Sequence, residues 1–63
     1  MYKRIRDLRE DNDIKQSTIA SELGISQPQY QRYESGTRQI PVDILIHLAA
    51  IYDVSIDYLL GLT

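Results

Sequence analysis

The chain has 63 residues, a net charge of −2 and no cysteine. This length fits one domain, predicted over residues 1–63, and leaves no room for a second core or an inserted catalytic domain. Without cysteine there is no disulfide framework and no thiolate metal site, and without a signal peptide or a membrane-length apolar run we expect a soluble, cytoplasmic protein with no membrane partner.

The charges are distributed unevenly along the chain. All seven Lys and Arg residues lie in residues 1–40 with six of the nine acids, and the other three acids lie in residues 41–63. Non-specific DNA affinity comes mainly from basic side chains, so the net charge argues against a polyanionic partner, whereas the asymmetry weakly favours one. Lys3, Arg4 and Arg6 fit either a solvated helix face or phosphate contacts.

The first half of the chain predicts two short helices, because apolar residues recur at helical spacing and no strand-length alternation is present. The first is predicted over residues 2–12, and a left-handed Asp13 ends it. The second is predicted over residues 16–23 and stops at Gly24, which adopts positive φ without steric cost.

The third helix has the strongest start signal in the chain. Ser26 is its predicted N-cap, Gln29 closes a capping box three residues later, and Ile25 packs against Tyr30 as a hydrophobic staple. Pro28 supports a start here, but it leaves the boundary uncertain by one residue because proline prefers the first helical position.

The third helix ends at Gly36, and two further helices are predicted after it. The fourth covers residues 41–53, and its wide apolar stripe predicts a central, mostly buried helix. Ser55 caps the short fifth helix, and Gly61 ends it. The stripe consists of Leu45, Leu48, Ala49 and Tyr52, flanked by Ile44, Ile46 and Ile51.

The second and third helices are separated by a tight turn with glycine, an arrangement too common to indicate a function by itself, so the residues around the turn matter more. The small Ala20 lets the two helices cross closely, and Gly24 makes the turn. Tyr30 and Tyr33 then face the core rather than a nucleic acid. The residues left on the outer face are Gln27, Pro28, Gln31, Arg32 and Ser35.

Taken together, these residues make residues 5–60 resemble the phage Cro/C1-repressor type of helix-turn-helix domain, also called the xenobiotic-response-element family. The resemblance implies an all-α, compact five-helix fold like that of lambda repressor, with helices two and three forming the helix-turn-helix. The positions that carry it are Leu8-Arg9-Glu10, Gln16, Ile19-Ala20, Leu23-Gly24-Ile25-Ser26, Arg32-Tyr33-Glu34-Ser35-Gly36, Leu48-Ala49 and the run from Val54 to Leu60.

The resemblance also implies sequence-specific binding of double-stranded DNA by a transcriptional regulator, with the helix that begins near Ser26 in the major groove. It implies a pair between Arg9 and Glu34 that ties the first helix to the third. The implied base-reading residues are Gln27, Pro28, Gln31 and Arg32. The implied phosphate contacts are Gln16, Ser17, Ser35, Thr37 and Arg38.

Two positions depart from the family pattern. Lys15 stands where a Thr or Ser usually caps the second helix, so that helix begins without a side-chain acceptor. Pro28 stands where a hydrogen-bonding side chain often reads a base, and it offers only apolar contact, for example to a thymine methyl. Direct reading is therefore expected to shift to Gln27, Gln31 and Arg32.

Two functional alternatives remain open from the sequence. In the first, two copies form a homodimer through the C-terminal helices and bind a near-palindromic operator; its predicted surface combines a flank of the fourth helix with Leu59, Leu60 and Leu62. In the second, the same fold is a protein-interaction module, for example a regulator or antitoxin partner, and the recognition helix is idle.

Enzymatic chemistry has no sequence support. There is no phosphate-cradling glycine loop, no nucleophile elbow and no convergent acid pair. His47 has no second histidine or cysteine at metal-ligand spacing, so we expect neither a metal nor a catalytic role for it. No cofactor and no small-molecule site are expected.

Overall fold

The computed structural model describes residues 3–62, which form five α-helices with no strand among them. The prediction of an all-helical fold is confirmed for this part of the chain. In chain order the helices are α1 (Lys3–Asp11), α2 (Gln16–Leu23), α3 (Gln27–Ser35), α4 (Val42–Tyr52) and α5 (Ile56–Leu59).

Every helix contributes one fully buried side chain to a shared core. Ile5, Ile19, Tyr30, Leu48 and Leu59, one from each helix in order, are at most 1% exposed. Helices this short are marginal in isolation, so their stability comes from burying these faces together. The predicted core placement of Tyr30 is thereby confirmed, and Tyr33 is buried as well.

Left-handed residues end the helices in the way the sequence predicts. Asp13 (φ 56°) follows α1 and Gly24 (φ 71°) follows α2, and after each of them the next N–H bonds back to the preceding helix. The Ile14 N–H, for example, donates to the Arg9 carbonyl at 3.0 Å. This pattern satisfies carbonyls that the helix end leaves free.

Three predicted helix boundaries, the end of α1 and both ends of α4, are wrong by one residue. The prediction began α1 at Tyr2, which lies outside the described residues, and ended it at Asn12. The helix ends at Asp11, and the Leu8 carbonyl accepts both the Asn12 backbone N–H at 3.1 Å and the Asn12 side-chain amide at 2.7 Å. At α4, Pro41 is an extended N-cap and Asp53 is left-handed (φ 55°), so neither belongs to the helix.

The fourth helix is central, as predicted, but it is less buried than the prediction has it. Only Leu45 and Leu48 of α4 are buried, whereas Val42 and Ile46 are 68% and 54% exposed. In so small a domain no second layer covers the outer side of this helix. Of the predicted flank, Ile44 and Ile51 pack half-buried against the core, and Ile46 lies on the surface.

Leu59 does not belong to the predicted dimer surface. It is 1% exposed and packs in the core of the domain, so it offers nothing to a second copy. Leu60 is half-buried against the same core, while Leu62 is 71% exposed. Only the last of these three leucines is freely accessible.

Candidate nucleic-acid interface

The turn between α2 and α3 consists of Gly24, Ile25 and Ser26. Gly24 provides the left-handed residue that ends α2, and Ser26 caps α3 by accepting the Gln29 backbone N–H at 3.2 Å. Ala20, which is 2% exposed, lies in the core where the two helices pack. The predicted turn and N-cap are confirmed.

The predicted capping box is only half formed. The Gln29 side chain does not return to the Ser26 backbone; its Nε2 donates to the Tyr33 hydroxyl at 3.0 Å. Pro28 occupies the second position of α3, where the missing N–H leaves no helical bond unmade. Tyr33, one turn after Gln29 in the sequence, thus competes with the Ser26 backbone for the Gln29 amide. The i, i+4 spacing of Gln29 and Tyr33 was visible in the sequence.

The outer face of α3 is polar and exposed. All four predicted base-reading residues, Gln27, Pro28, Gln31 and Arg32, are exposed there. The inner face holds Tyr30 and Tyr33 in the core, and Glu34 is buried at its edge. The helix is therefore anchored from behind while its outer side chains face solvent.

Arg9 and Glu34 form a bidentate ion pair between α1 and α3. Arg9 Nε donates to Glu34 Oε2 at 2.8 Å, and Arg9 Nη2 donates to Oε1 at 2.9 Å. The third nitrogen, Nη1, donates to the Ile14 carbonyl at 2.8 Å. The two side chains are 13% and 6% exposed, so the pair is largely shielded from water.

The same carboxylate organises the N-terminus of α2. Gln16, the first residue of α2, donates from Nε2 to Glu34 Oε1 at 3.2 Å. Burial alone would raise the pKa of Glu34, but the hydrogen bonds from Arg9 and Gln16 outweigh it and hold the pKa below its ordinary value. Glu34 is therefore an ionised hub that fixes α1, α2 and α3 relative to one another.

The pKa values of the neighbours of Glu34 respond to the same carboxylate. The hydrogen bond with Glu34 raises the pKa of Arg9 against the effect of burial. The buried Tyr30 hydroxyl lies close to Glu34 without the geometry of a hydrogen bond, and burial followed by the negative charge raises the pKa of Tyr30. Both groups keep their ordinary protonation state at neutral pH.

The N-terminus of α2 has no side-chain cap. Lys15 takes the extended N-cap conformation but makes no capping hydrogen bond. This absence was predicted, because lysine replaces the usual serine or threonine at this position. The first bond that closes the helix runs from the Thr18 N–H to the Lys15 carbonyl, so the N–H groups of Gln16 and Ser17 precede it. Such N–H groups, with the positive end of the helix dipole, form a favourable site for an anion.

The remaining predicted phosphate contacts lie at two separate places. Ser17 is exposed at the start of α2, whereas Ser35, Thr37 and Arg38 are exposed around the end of α3. The Ser35 and Thr37 hydroxyls are 3.0 Å apart and bond to each other. Gln16, Gln31 and Ser35 lie near one another, because all three line one hollow between the helices.

Arg6 also lines that hollow, and its role was left open by the sequence. It donates from Nε to Glu10 at 3.4 Å, an exposed i, i+4 pair that contributes little energy. Arg4, by contrast, serves the fold. Its Nη1 donates to the Tyr58 carbonyl at 3.0 Å and its guanidinium lies 4.4 Å from the Tyr58 ring centre.

Within residues 3–62 the structure shows no cluster of three or more potential metal ligands, and His47 is exposed on α4. None of the described helices is long and apolar enough to cross a bilayer. The features that stand out are the helix pair, the polar outer face of α3 and the uncapped start of α2. They agree with a comparison to known sequences, in which the family described as Helix-turn-helix matches residues 5–59.

The chain belongs to the helix-turn-helix family. The resemblance predicted from the sequence is therefore confirmed, and the match covers all or part of each of the five helices.

Several curated proteins resemble this helix-turn-helix chain. YobD of Bacillus subtilis (strain 168), an uncharacterized HTH-type transcriptional regulator, is 42% identical, and the alignment covers 100% of this chain and 57% of that protein. The cryptic phage CTXphi transcriptional repressor RstR of Vibrio cholerae is 36% identical, over 84% of this chain and 48% of that protein. The HTH-type transcriptional regulator ImmR of Bacillus subtilis (strain 168) is 36% identical, over 94% of this chain and 46% of that protein. The chain spans about half the length of the curated relatives it matches.

Proposed function

We propose that this chain binds double-stranded DNA in a sequence-specific manner and regulates transcription, with α3 in the major groove. One observation carries the proposal: Gln27, Gln31 and Arg32 are exposed on one face of a helix whose opposite face is anchored in the core. A helix held in this way presents side chains to base edges at fixed spacing. The names of YobD and RstR, both called transcriptional regulators or repressors, support the same function.

Base reading is divided among four residues of α3. Gln27 is suited to adenine, because its amide can accept from N6 and donate to N7. Arg32 lies farther along the same exposed face and is suited to guanine O6 and N7 or to a phosphate. Gln31 supplies a further amide, while Pro28 contributes apolar contact to a thymine methyl.

Phosphate contacts flank the reading face. The free N–H groups and side chains of Gln16 and Ser17 are proposed to hold one phosphate at the start of α2. Ser35, Thr37 and Arg38 are proposed to hold the backbone beside the end of α3. Because few of these contacts are cationic, we expect weak binding to random DNA and a modest dependence of affinity on salt.

We also propose that two copies bind a near-palindromic operator as a homodimer through the C-terminal helices. The exposed apolar side chains Val42 (68%), Ile46 (54%) and Leu62 (71%) support this surface, as does Tyr58 on α5. A dimer doubles the phosphate contacts available to an acidic chain and places two reading helices about 34 Å apart, one turn of DNA.

The exposed apolar side chains of α4 also favour a second candidate function, a protein-interaction module whose recognition helix does not bind DNA. Val42 and Ile46 are the residues that such a partner would cover. DNA binding uses the outer face of α3, whereas protein–protein contact uses the outer face of α4. Substitutions on α3 should therefore impair regulation only if the chain binds DNA.

As a DNA-binding regulator, the protein is proposed to repress transcription by occupying promoters in the cytoplasm of a bacterium or of a phage-infected cell. The printed name of RstR, a transcriptional repressor, supports this direction of regulation. We propose no enzymatic activity, cofactor, membrane partner or small-molecule ligand for this domain.

Selection from random duplexes, followed by salt titration of the enriched sequence, tests the proposed function. We expect an enriched site with two related half-sites, and a log affinity that falls with log salt at about 0.9 per phosphate engaged. If no sequence is enriched, the protein-interaction module replaces the DNA-binding proposal.

A further inference from the structure

A hollow on the flank of α3 is lined by residues whose side chains can each donate a hydrogen bond, and two of them carry a positive charge. Its lining residues are Ser26, Gln29, Arg32, Tyr33 and Arg38. We call it the Tyr33 notch. By contrast, the hollow around Gln16 and Ser35 is lined by Glu10 and Glu34 as well as by arginines. In a chain with a net charge of −2, a concave site with two arginines and no carboxylate is suited to an anion.

The two arginines of the notch are close neighbours with no acidic partner. The backbone N–H of Arg38 donates to the backbone carbonyl of Arg32 at 3.1 Å, so the loop after α3 folds back onto the helix. In the described part of the chain the ion pairs are those of Arg6 with Glu10 and Arg9 with Glu34, and neither involves these guanidinium groups. Their charge therefore remains available to a ligand.

The Tyr33 hydroxyl adds an oriented donor at the rim. Tyr33 is 6% exposed, and its ring belongs to the core. Gln29 Nε2 donates to the Tyr33 oxygen at 3.0 Å, which occupies an acceptor site and fixes the position of the hydroxyl. The hydroxyl proton is then left to be donated elsewhere.

Ser26 has a similar arrangement at the other side of the notch. Its Oγ accepts the Gln29 backbone N–H at 3.2 Å, so its own proton is also available. Gln29 thus holds both hydroxyl oxygens, one through its backbone and one through its side chain. This explains what the half-formed capping box achieves.

From this geometry we infer that the Tyr33 notch binds a phosphodiester of the DNA backbone, with the Tyr33 hydroxyl as a direct donor and Gln29 as a positioning residue. The inference rests on the proposed function, since Arg32 is shared between the notch and the reading face. This phosphate is separate from the one at the start of α2. Arg38, which is proposed above to hold the backbone beside the end of α3, binds it together with Tyr33, and the contact is independent of base sequence.

The test uses the enriched duplex and a series of duplexes in which one phosphate at a time is replaced by a neutral methylphosphonate. For the wild-type chain, one position beside α3 is expected to lower affinity about tenfold, the effect of losing hydrogen bonds to a charged group. Tyr33→Phe keeps the ring in the core and removes only the hydroxyl. We expect it to weaken binding by up to about tenfold to duplexes that keep this phosphate, whatever their base sequence, and to reduce the sensitivity at that position.

Arg38→Gln is the second variant, because Arg38 is exposed and its replacement does not disturb the core. It is expected to reduce the same methylphosphonate sensitivity and to lower the salt slope by about 0.9. Tyr33→Phe removes no charge and should leave the slope unchanged. Tyr52→Phe is the control, since it also removes a tyrosine hydroxyl, in this case a buried one on α4 and outside the notch lining, and it should leave DNA binding unchanged.

Unchanged methylphosphonate sensitivity in both Tyr33→Phe and Arg38→Gln would overturn the notch while leaving DNA binding intact. If the wild-type chain binds no duplex at all, the proposed function itself fails. Thermal unfolding of each variant identifies a general loss of stability, and in that case Arg38→Gln alone decides the result.

Discussion

At the scale of single residues, Glu34 is the group on which the arrangement of three helices depends. Its Oε1 accepts from both Arg9 and Gln16, and its Oε2 accepts from Arg9. The bonded side chains come from three different helices, so one carboxylate fixes the position of the candidate phosphate contact relative to the reading helix.

Replacing Arg9 tests the strength of this hub. Arg9→Met leaves the carboxylate of Glu34, 6% exposed, without its partner, and we expect a loss of about 3 kcal/mol in the free energy of unfolding. Urea denaturation measures this loss. The double variant Arg9→Met with Glu34→Leu removes the stranded charge and should be more stable than Arg9→Met alone; an equally unstable double variant would contradict the explanation.

Acid should destabilise the protein through the same residue. The folded-state pKa of Glu34 lies below its ordinary value of 4.5, so its stabilising effect is complete above that pH and is lost as the pH falls through the folded pKa. We expect the free energy of unfolding, measured in urea from about pH 7 to about pH 2, to fall on the acid side of this value. Glu34→Gln should show a shallower decline, because it has no proton to take up at this position.

Two glutamines distinguish base reading from phosphate binding. Gln27→Ala should relax specificity at one base position at a cost of about 1 to 3 kcal/mol, whereas Gln16→Ala should weaken all duplexes alike. Competitive binding to the enriched site and its single-base variants measures both effects. Uniform weakening by both variants would show that the reading face has been assigned to the wrong residues.

At the scale of elements, the helix ends combine favourable and unfavourable residues. Ser26 and Ser55 cap α3 and α5 through their side chains, but Lys15 leaves α2 uncapped. An uncapped start weakens α2 by about 1 kcal/mol relative to a serine or threonine cap. In return, its first N–H groups stay accessible to an anion, which fits the role proposed for Gln16.

The C-terminus of α4 offers a stabilising substitution. Asp53 is left-handed with φ of 55°, a conformation that costs little only for glycine, and its negative charge opposes the helix dipole. We expect Asp53→Gly to raise the free energy of unfolding by about 0.5 to 1 kcal/mol, measured by urea denaturation. Asp53→Asn removes the charge alone and should give a smaller increase; a loss of stability with Asp53→Gly would refute the argument.

At the scale of the whole molecule, the small core leaves two apolar side chains of α4 uncovered. Val42 and Ile46 lie four residues apart on the outer face of this helix, and both are more than half exposed. One layer of short helices buries only one face of each, so the opposite face is available to another molecule. The proposed homodimer assigns this face to a second copy.

Ile46→Glu tests that assignment, because it places a charge on the proposed interface without entering the core. We expect sedimentation equilibrium to show a monomer and the affinity for the near-palindromic site to fall at least tenfold. His47→Glu adds the same charge to the neighbouring exposed position and should have a much smaller effect. A wild-type chain that is monomeric both free and on the operator would remove the homodimer.

Much of the local structure followed from the sequence by itself. Caps and helix-ending residues act through neighbours a few positions away, so Asp13, Gly24 and Ser26 identified the turn and the start of α3 correctly. Helical spacing likewise placed Tyr30 and Tyr33 in the core and the reading residues outside it.

Only the tertiary structure decided how far each apolar face is covered and which partner each polar side chain chooses. Leu59 and Ile46 are both apolar, and the sequence does not show which of them is covered. Packing between helices buries Leu59 and leaves Ile46 exposed. The Gln16 amide bonds to Glu34, which is 18 residues away along the chain. Only the packing of α2 against α3 brings these two side chains together, whereas local spacing was enough to place Gln29 beside Tyr33.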